Sequence, residues 1–159
     1  MRLVIQRVSS ASVSVNDELV SQIGKGLCVL VGISTSDKDI SKHRNLARKI
    51  VNLRLFDDPE SNKKWEHNVK IRSYDVLLVS QFTLQAVLKG NKPDFHKAMP
   101  ANESEALYNE FVNMVKEEYG VDANDHIFDG RFGAMMSVNI VNDGPVTLVI
   151  DSANENTNK

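Results

Sequence analysis

Cysteine and tryptophan occur once each and proline four times in 159 residues. No apolar run approaches the roughly 20 residues that cross a bilayer. The single cysteine, Cys28, cannot close an internal disulfide, and its place in the apolar run Leu27 to Val31 suits a buried, inert thiol. The opening residues Met1 to Val8 lack the apolar core and small-residue cleavage site of a secretory signal. No membrane partner is expected, and the cytoplasm is the expected compartment. An excess of one charge is missing too. Lys and Arg total 19 against 21 Asp and Glu, for a net charge of −2. That balance argues against a polybasic nucleic-acid binder and leaves RNA contact to a local patch.

Several chemistries are absent as motifs. The four histidines, His43, His67, His96 and His126, show no close His/Cys/Glu spacing of the zinc-enzyme kind, so neither a metal site nor a cofactor is expected. The chain has no Gly-x-Ser-x-Gly elbow, phosphate loop or dinucleotide fingerprint. Its many carboxylates form no pair identifiable as an acid and a base.

What is present is a pattern of strands interrupted by two helical stretches. Arg2 to Val8 and Ala11 to Val15 alternate apolar and polar residues around a Ser9-Ser10 break, which predicts two strands. Glu18 to Ile23 adds a short strand. Leu27 to Ile33 is apolar without alternation, as in a strand buried on both faces. Ser36 with Asp39 resembles a capping box before a helix whose Ile40, Ala47, Ile50 and Val51 share a face, with Lys42, Arg44, Arg48 and Lys49 on the solvated side. Asp57 to Lys64 is a polar turn region, and Tyr74 to Val79 is another strand. Asn102 with Glu105 predicts the cap of a second helix, striped by Leu107, Tyr108, Phe111, Val112 and Val115 and ending before Gly120. Ser137 to Val141 and Val146 to Ile150 read as strands joined at Asn142-Asp143-Gly144-Pro145. The order predicts one α+β domain over residues 1–151, followed by a polar, disordered tail over 152–159.

Three segments could carry function. Ser80-Gln81-Phe82-Thr83-Leu84 puts two hydroxyls, an amide and an aromatic ring at a strand end, where sites often form; an ordinary strand with polar alternation fits the same pattern. Gly144-Pro145 fits a plain hairpin turn. Lys89 to Lys97 is a basic loop with an aromatic and a histidine, suited either to holding phosphates or to simple solvation.

In combination, five blocks resemble the D-aminoacyl-tRNA deacylase family in the form shared by bacteria and eukaryotes: Val4-Ile5-Gln6-Arg7-Val8, Ser80 to Leu84, Lys89 to Phe95, Phe132-Gly133-Ala134, and Asn142-Asp143-Gly144-Pro145-Val146-Thr147. The resemblance covers nearly all of residues 1–151. It implies a homodimer of α+β subunits with β/β/α layers, mixed sheets and two main helices, with each active site at the subunit interface. The implied substrate is aminoacyl-tRNA. Ser80, Gln81, Phe82 and Thr83 would form the catalytic pocket for the terminal adenosine and its amino acid. Phe132 and Met136 would contribute on the adenosine side, and Ala98 would shape the pocket. Gly144 and Pro145 would enter the neighbouring subunit's site through a cis peptide, their carbonyl oxygens facing the aminoacyl group, and Arg7 would hold them.

The resemblance also gives a reason for the missing machinery. An aminoacyl ester is reactive, so orientation and charge stabilisation can drive hydrolysis without a strong protein base. The terminal ribose 2′-hydroxyl would help activate water, and the N–H groups near Phe82 and Thr83 would support the developing charge. L-side chains would meet the Gly144 and Pro145 carbonyls, whereas D-side chains and glycine would not. Two other readings remain: a non-catalytic nucleic-acid-binding dimer using the Lys89 to Lys97 loop, and an esterase with Thr83 as nucleophile, for which no paired base is evident.

Overall fold

The computed structural model describes residues 1–155. Strand β1 runs without interruption from Arg2 to Val15, so the break at Ser9-Ser10 does not separate two strands. It marks a change of partners. Residues 2–8 of β1 pair antiparallel with β3 (Gly26–Gly32), and residues 11–15 pair antiparallel with β2 (Glu18–Ile23). On its other edge β1 pairs with a last long strand, Ser137–Asp151, along almost its whole length.

Between β3 and that last strand, the chain forms a 3-10 turn Ile40–His43, helix α1 (Arg44–Asn52), a single turn α2 (Val69–Arg72) and strand β4 (Asp75–Ser80). A 3-10 turn Phe82–Gln85 then leads into a two-stranded hairpin of β5 (Val87–Lys89) and β6 (Lys92–Asp94). Helix α3 (Ala101–Tyr119), the short α4 (Ala123–His126) and strand β7 (Ile127–Asp129) follow, before β8 (Ser137–Asp151). β3, β4 and β7 run parallel to one another, and parallel neighbours need long crossovers. The segments carrying α1 and α3 supply them.

Alternation along the central strands sorts the apolar side chains into two clusters. Leu27, Val29 and Val31 of β3 and Val76 and Leu78 of β4 face a cluster that includes Ile50 and Val51 of α1 and Tyr108, Phe111 and Val115 of α3. Cys28, Leu77 and Val79 face the opposite way, onto Val8, Ala11, Val13 and Ile23. The sheet thus has a helical layer on one side and the bent second half of β1, with β2, on the other. Burial pushes the Cys28 thiol up to about 11, consistent with an inert side chain.

Both helix starts differ from the expected caps. Asp39, not Ser36, caps the 3-10 turn that leads into α1, its carboxylate accepting from the Ser41 N–H at 3.2 Å, and α1 itself follows His43 with no side-chain cap. At α3 the cap position is held by Pro100, which has no side-chain acceptor to offer, and Asn102 lies inside the first turn. The last element also differs from expectation. Ser152–Glu155 form a helical turn, α5, rather than a disordered tail, with the Ser152 hydroxyl accepting from the Met1 amino group at 2.7 Å. Residues 156–159 of the expected tail lie outside the described residues.

That amino group is part of a buried charge cluster. It contacts Asp37 at 2.6 Å, and the same carboxylate takes His43 Nε2 at 3.0 Å and the Ser34 N–H at 2.7 Å. Burial by itself would raise the Asp37 carboxyl, but the bonds from His43, the amino group and Ser34 hold it well below the usual range. A carboxyl depressed on folding contributes stability above its unfolded value of about 4, and that contribution is lost as pH falls through the folded value. Replacing Asp37 with Asn should therefore cost about 3–5 kcal/mol in urea unfolding at neutral pH, with the difference from the unaltered protein shrinking in acid. Equal urea midpoints at neutral pH would show that the cluster contributes nothing.

Candidate functional site

Ser80 ends β4, and the chain then turns sharply because β3 ends beside it. The Gln81 N–H donates to the Val31 carbonyl at 2.8 Å, and the Phe82–Gln85 turn lies against Gly32. A methyl on Gly32 would sit 2.7 Å from Leu84 Cβ and 3.0 Å from the Gln81 carbonyl, so close approach of the two strand ends needs glycine here. Buried Gln85 donates to the Gly32 carbonyl at 2.8 Å, and Arg2 donates to the Leu84 carbonyl at 2.8 Å. The turn is fastened on both sides. Its first N–H groups, those of Phe82 and Thr83, have no acceptor within the turn.

This turn forms one wall of a cleft of about 630 Å³. Ser80, Gln81, Phe82, Ala98, Phe132 and Met136 all line it. Thr83 does not; its hydroxyl accepts from Gln81 Nε2 at 2.6 Å, a contact with an amide rather than a base. Ala98 reaches the rim because the chain leaving the β5–β6 hairpin is tied to the end of β3, with Thr35 N–H to the Lys97 carbonyl at 2.9 Å and Met99 N–H to the Ile33 carbonyl at 3.1 Å. At the mouth, half-exposed Phe82 packs edge to face on Phe95 with centroids 5.1 Å apart. Within the hairpin Asp94 bonds both Lys89 and His96, and these contacts, the lysine's foremost, hold its carboxyl well below the usual range. Among the described residues no three His, Cys, Asp or Glu side chains converge as metal ligands would.

Arg7, Gly144 and Pro145 are elsewhere. Asn142 to Pro145 do not form a hairpin turn. Both halves of β8 pair with β1 in the same sense, Val8 with Asn142 and Gln6 with Thr147, so residues 143–146 form an excursion opposite Arg7 alone. The neck is closed by a side chain: Asn142 Nδ2 donates to the Val146 carbonyl at 3.1 Å, and the Val146 N–H donates to Asn142 Oδ1 at 3.0 Å. Beneath it, Arg7 Nε contacts the Asp143 carbonyl at 3.3 Å and its carboxylate at 3.1 Å, while Arg7 Nη1 donates to the Leu55 carbonyl at 2.7 Å. Gly144 has φ +127°, and a methyl on it would lie 3.2 Å from Arg7 Nη2. The Gly144–Pro145 peptide is cis, and both residues are exposed.

The family model described as D-Tyr-tRNA(Tyr) deacylase matches residues 4–151. The chain belongs to the D-Tyr-tRNA(Tyr) deacylase family. It is 53% identical to the D-aminoacyl-tRNA deacylase of Drosophila melanogaster over 154 residues, covering 96% of this chain and 92% of that protein. Against D-aminoacyl-tRNA deacylase 1 of Mus musculus it is 51% identical over 152 residues, covering 96% of this chain and 70% of that protein. Among solved structures it is similar to one described as a c-Myc DNA unwinding element binding protein, with TM-score 0.88 at 51% identity, covering 96% of this chain and 99% of that one. Another, described as a probable eukaryotic D-amino acid tRNA deacylase, shares the fold with TM-score 0.80 at 21% identity, over 94% of this chain and 97% of that one.

In this deacylase-family chain the expected site residues therefore fall into two groups within the chain. Ser80, Gln81, Phe82, Ala98, Phe132 and Met136 share the cleft, with Thr83 just outside it, whereas Gly144 and Pro145 stand exposed on the excursion above the largely covered Arg7. Sequence reasoning missed the contribution of the α3 entry, where Pro100, Ala101 and buried Ser104 line the cleft. Pro100, directly before a helical pattern, was the available signal. Replacing Gly32 with Ala should push the 81–85 turn off β3 and destabilise the fold by about 1–3 kcal/mol. Thermal unfolding at the unaltered midpoint would show that the turn is not held by this close approach.

Proposed function

We propose that the chain hydrolyses the ester of D-aminoacyl-tRNA, releasing the amino acid and free tRNA. The supporting observation is that the Ser80 to Phe82 block lines the cleft in a chain whose family assignment spans residues 4–151. Water adds to the ester carbonyl, the bond to the terminal ribose oxygen breaks, and the neighbouring 2′-hydroxyl assists removal of the water proton. The N–H groups at the start of the Phe82–Gln85 turn face the developing oxyanion. Phe132 and Met136 lie on the adenosine side of the pocket. In this reading the enzyme works in the cytoplasm and needs no cofactor.

The excursion at Gly144 and Pro145 completes the site of a second copy. Its separation from the cleft of its own subunit and its exposure favour action in trans in a homodimer. Carbonyl oxygens presented there exclude a side chain in the L position and tolerate a D-side chain or glycine, so glycyl-tRNA is a second substrate. Gln81, holding Thr83 through its hydroxyl, positions the turn rather than activating a nucleophile. A non-catalytic nucleic-acid-binding dimer is the second reading. It draws on the similarity to the c-Myc DNA unwinding element binding protein.

Purified protein should deacylate D-aminoacyl-tRNA and glycyl-tRNA and spare the matched L-aminoacyl-tRNA. Binding without any hydrolysis would favour the second reading. The variant Thr83→Ala should retain hydrolysis, whereas D-aminoacyl-tRNA ending in 2′-deoxyadenosine should be bound but cleaved on the order of a thousandfold more slowly, as expected for loss of an oriented catalytic group. Complete loss in the Thr83 variant with normal cleavage of the deoxy substrate would replace RNA-assisted hydrolysis with a threonine nucleophile.

A further inference from the structure

Trp65 is the chain's single tryptophan, and nothing in the site described so far uses it. The residue is 50% exposed, and its backbone has φ 59°, a left-handed conformation that bulky residues rarely adopt. Neither burial nor backbone preference favours an aromatic residue here. Glycine would suit the backbone better. What the ring does contact is Arg7, whose guanidinium carbon lies 5.5 Å from the ring centroid.

The segment that carries Trp65 is folded back on itself. Phe56 and His67 exchange backbone hydrogen bonds of 3.0 and 2.8 Å, Asp58 N–H donates to the Lys63 carbonyl at 2.9 Å, and Lys64 pairs with Asp57 at 2.6 Å. The same loop offers the Leu55 carbonyl to Arg7 Nη1. It therefore holds the guanidinium twice, at its edge by the carbonyl and at its face by the ring. The remaining Arg7 contacts go to Asp143, next to Gly144.

We propose that Trp65 is a positioning residue for the Gly144–Pro145 excursion, acting through Arg7. The ring limits rotation of the guanidinium, so Nη1 stays on Leu55 and Nε stays on Asp143, and the excursion keeps one set of carbonyl directions. This rests on the reading of that excursion as the chirality filter. It assigns a specificity role to a loop outside the pocket and outside both strands that carry Arg7 and Gly144.

Two substitutions and one spectroscopic comparison test it. Trp65→Gly removes the ring while relieving the left-handed backbone, which offsets part of the lost packing, so the fold should be retained, yet its D-over-L ratio of kcat/KM should fall about two- to fivefold, the size of one half-exposed cation–π contact. Trp65→Phe should recover most of that ratio. In Arg7→Ala, which keeps the tryptophan, acrylamide quenching of Trp65 emission should rise because one ring face is uncovered. Unchanged discrimination in Trp65→Gly, no recovery in Trp65→Phe, or unchanged quenching in Arg7→Ala would each overturn the proposal. If Trp65→Gly does not fold, discrimination in Trp65→Phe close to the unaltered value and the quenching result decide. If the unaltered protein shows no D-specific hydrolysis, the functional reading fails, and quenching alone decides whether ring and guanidinium are coupled.

Discussion

Antiparallel pairing of β1 with β8 runs from Arg2 opposite Asp151 to Ser14 opposite Ser137, and the other constraints in the molecule are arranged around it. Because β8 occupies one edge of β1 throughout, the other edge must be shared between β3 and β2, and the strand changes facing layer where the sharing changes. A ladder this long fixes its register at both ends, so an insertion within it cannot be absorbed by slippage. The extra residues opposite Arg7 are instead extruded. Asn142 closes the neck with its amide, and the exposed Gly144 and Pro145 result from that closure.

The cleft depends on a second constraint, the parallel pairing of β3 with β4. Two parallel strands ending together leave Gly32 and Gln81 side by side, and Gln85, Arg2 and the missing Gly32 side chain hold the intervening turn against β3. The product is a wall fastened by Gln85 and Arg2, and the Thr83 hydroxyl beside it has an amide as its polar partner. Such a wall suits a substrate that brings its own reactive ester and its own hydroxyl. It does not suit nucleophilic catalysis by Thr83, whose polar partner is an amide.

Much of this was legible in the sequence where the signal was local. The apolar run at Leu27 to Val31, the stripe of α3 and the punctuation at Gly120 each led to the observed element because a single neighbourhood determines them. The Ser80 to Phe82 block could be placed at a strand end, and its resemblance to a family supplied a pocket that pattern alone did not require. Features set by distant partners were not legible. Ser9-Ser10 looks like a break until β1 is known to change partners there. Asn142 to Pro145 look like a hairpin turn until both flanks are seen to pair with one strand. The cluster of Met1, Asp37, His43 and Ser152 joins both ends of the described chain to its middle, and the α3 entry enters the cleft only because the hairpin before it is tied back to β3.

The proposed function depends most on the excursion of one subunit completing the cleft of another. Subunit mixing addresses this directly, using one variant with a disrupted Phe82–Gln85 turn and another with residues 143–146 shortened, each prepared as a dimer with impaired D-specific deacylation. Mixed dimers should regain D-specific cleavage, since the intact cleft of one subunit then meets the intact excursion of the other. Mixed dimers that form by mass yet stay as impaired as both parents would contradict it.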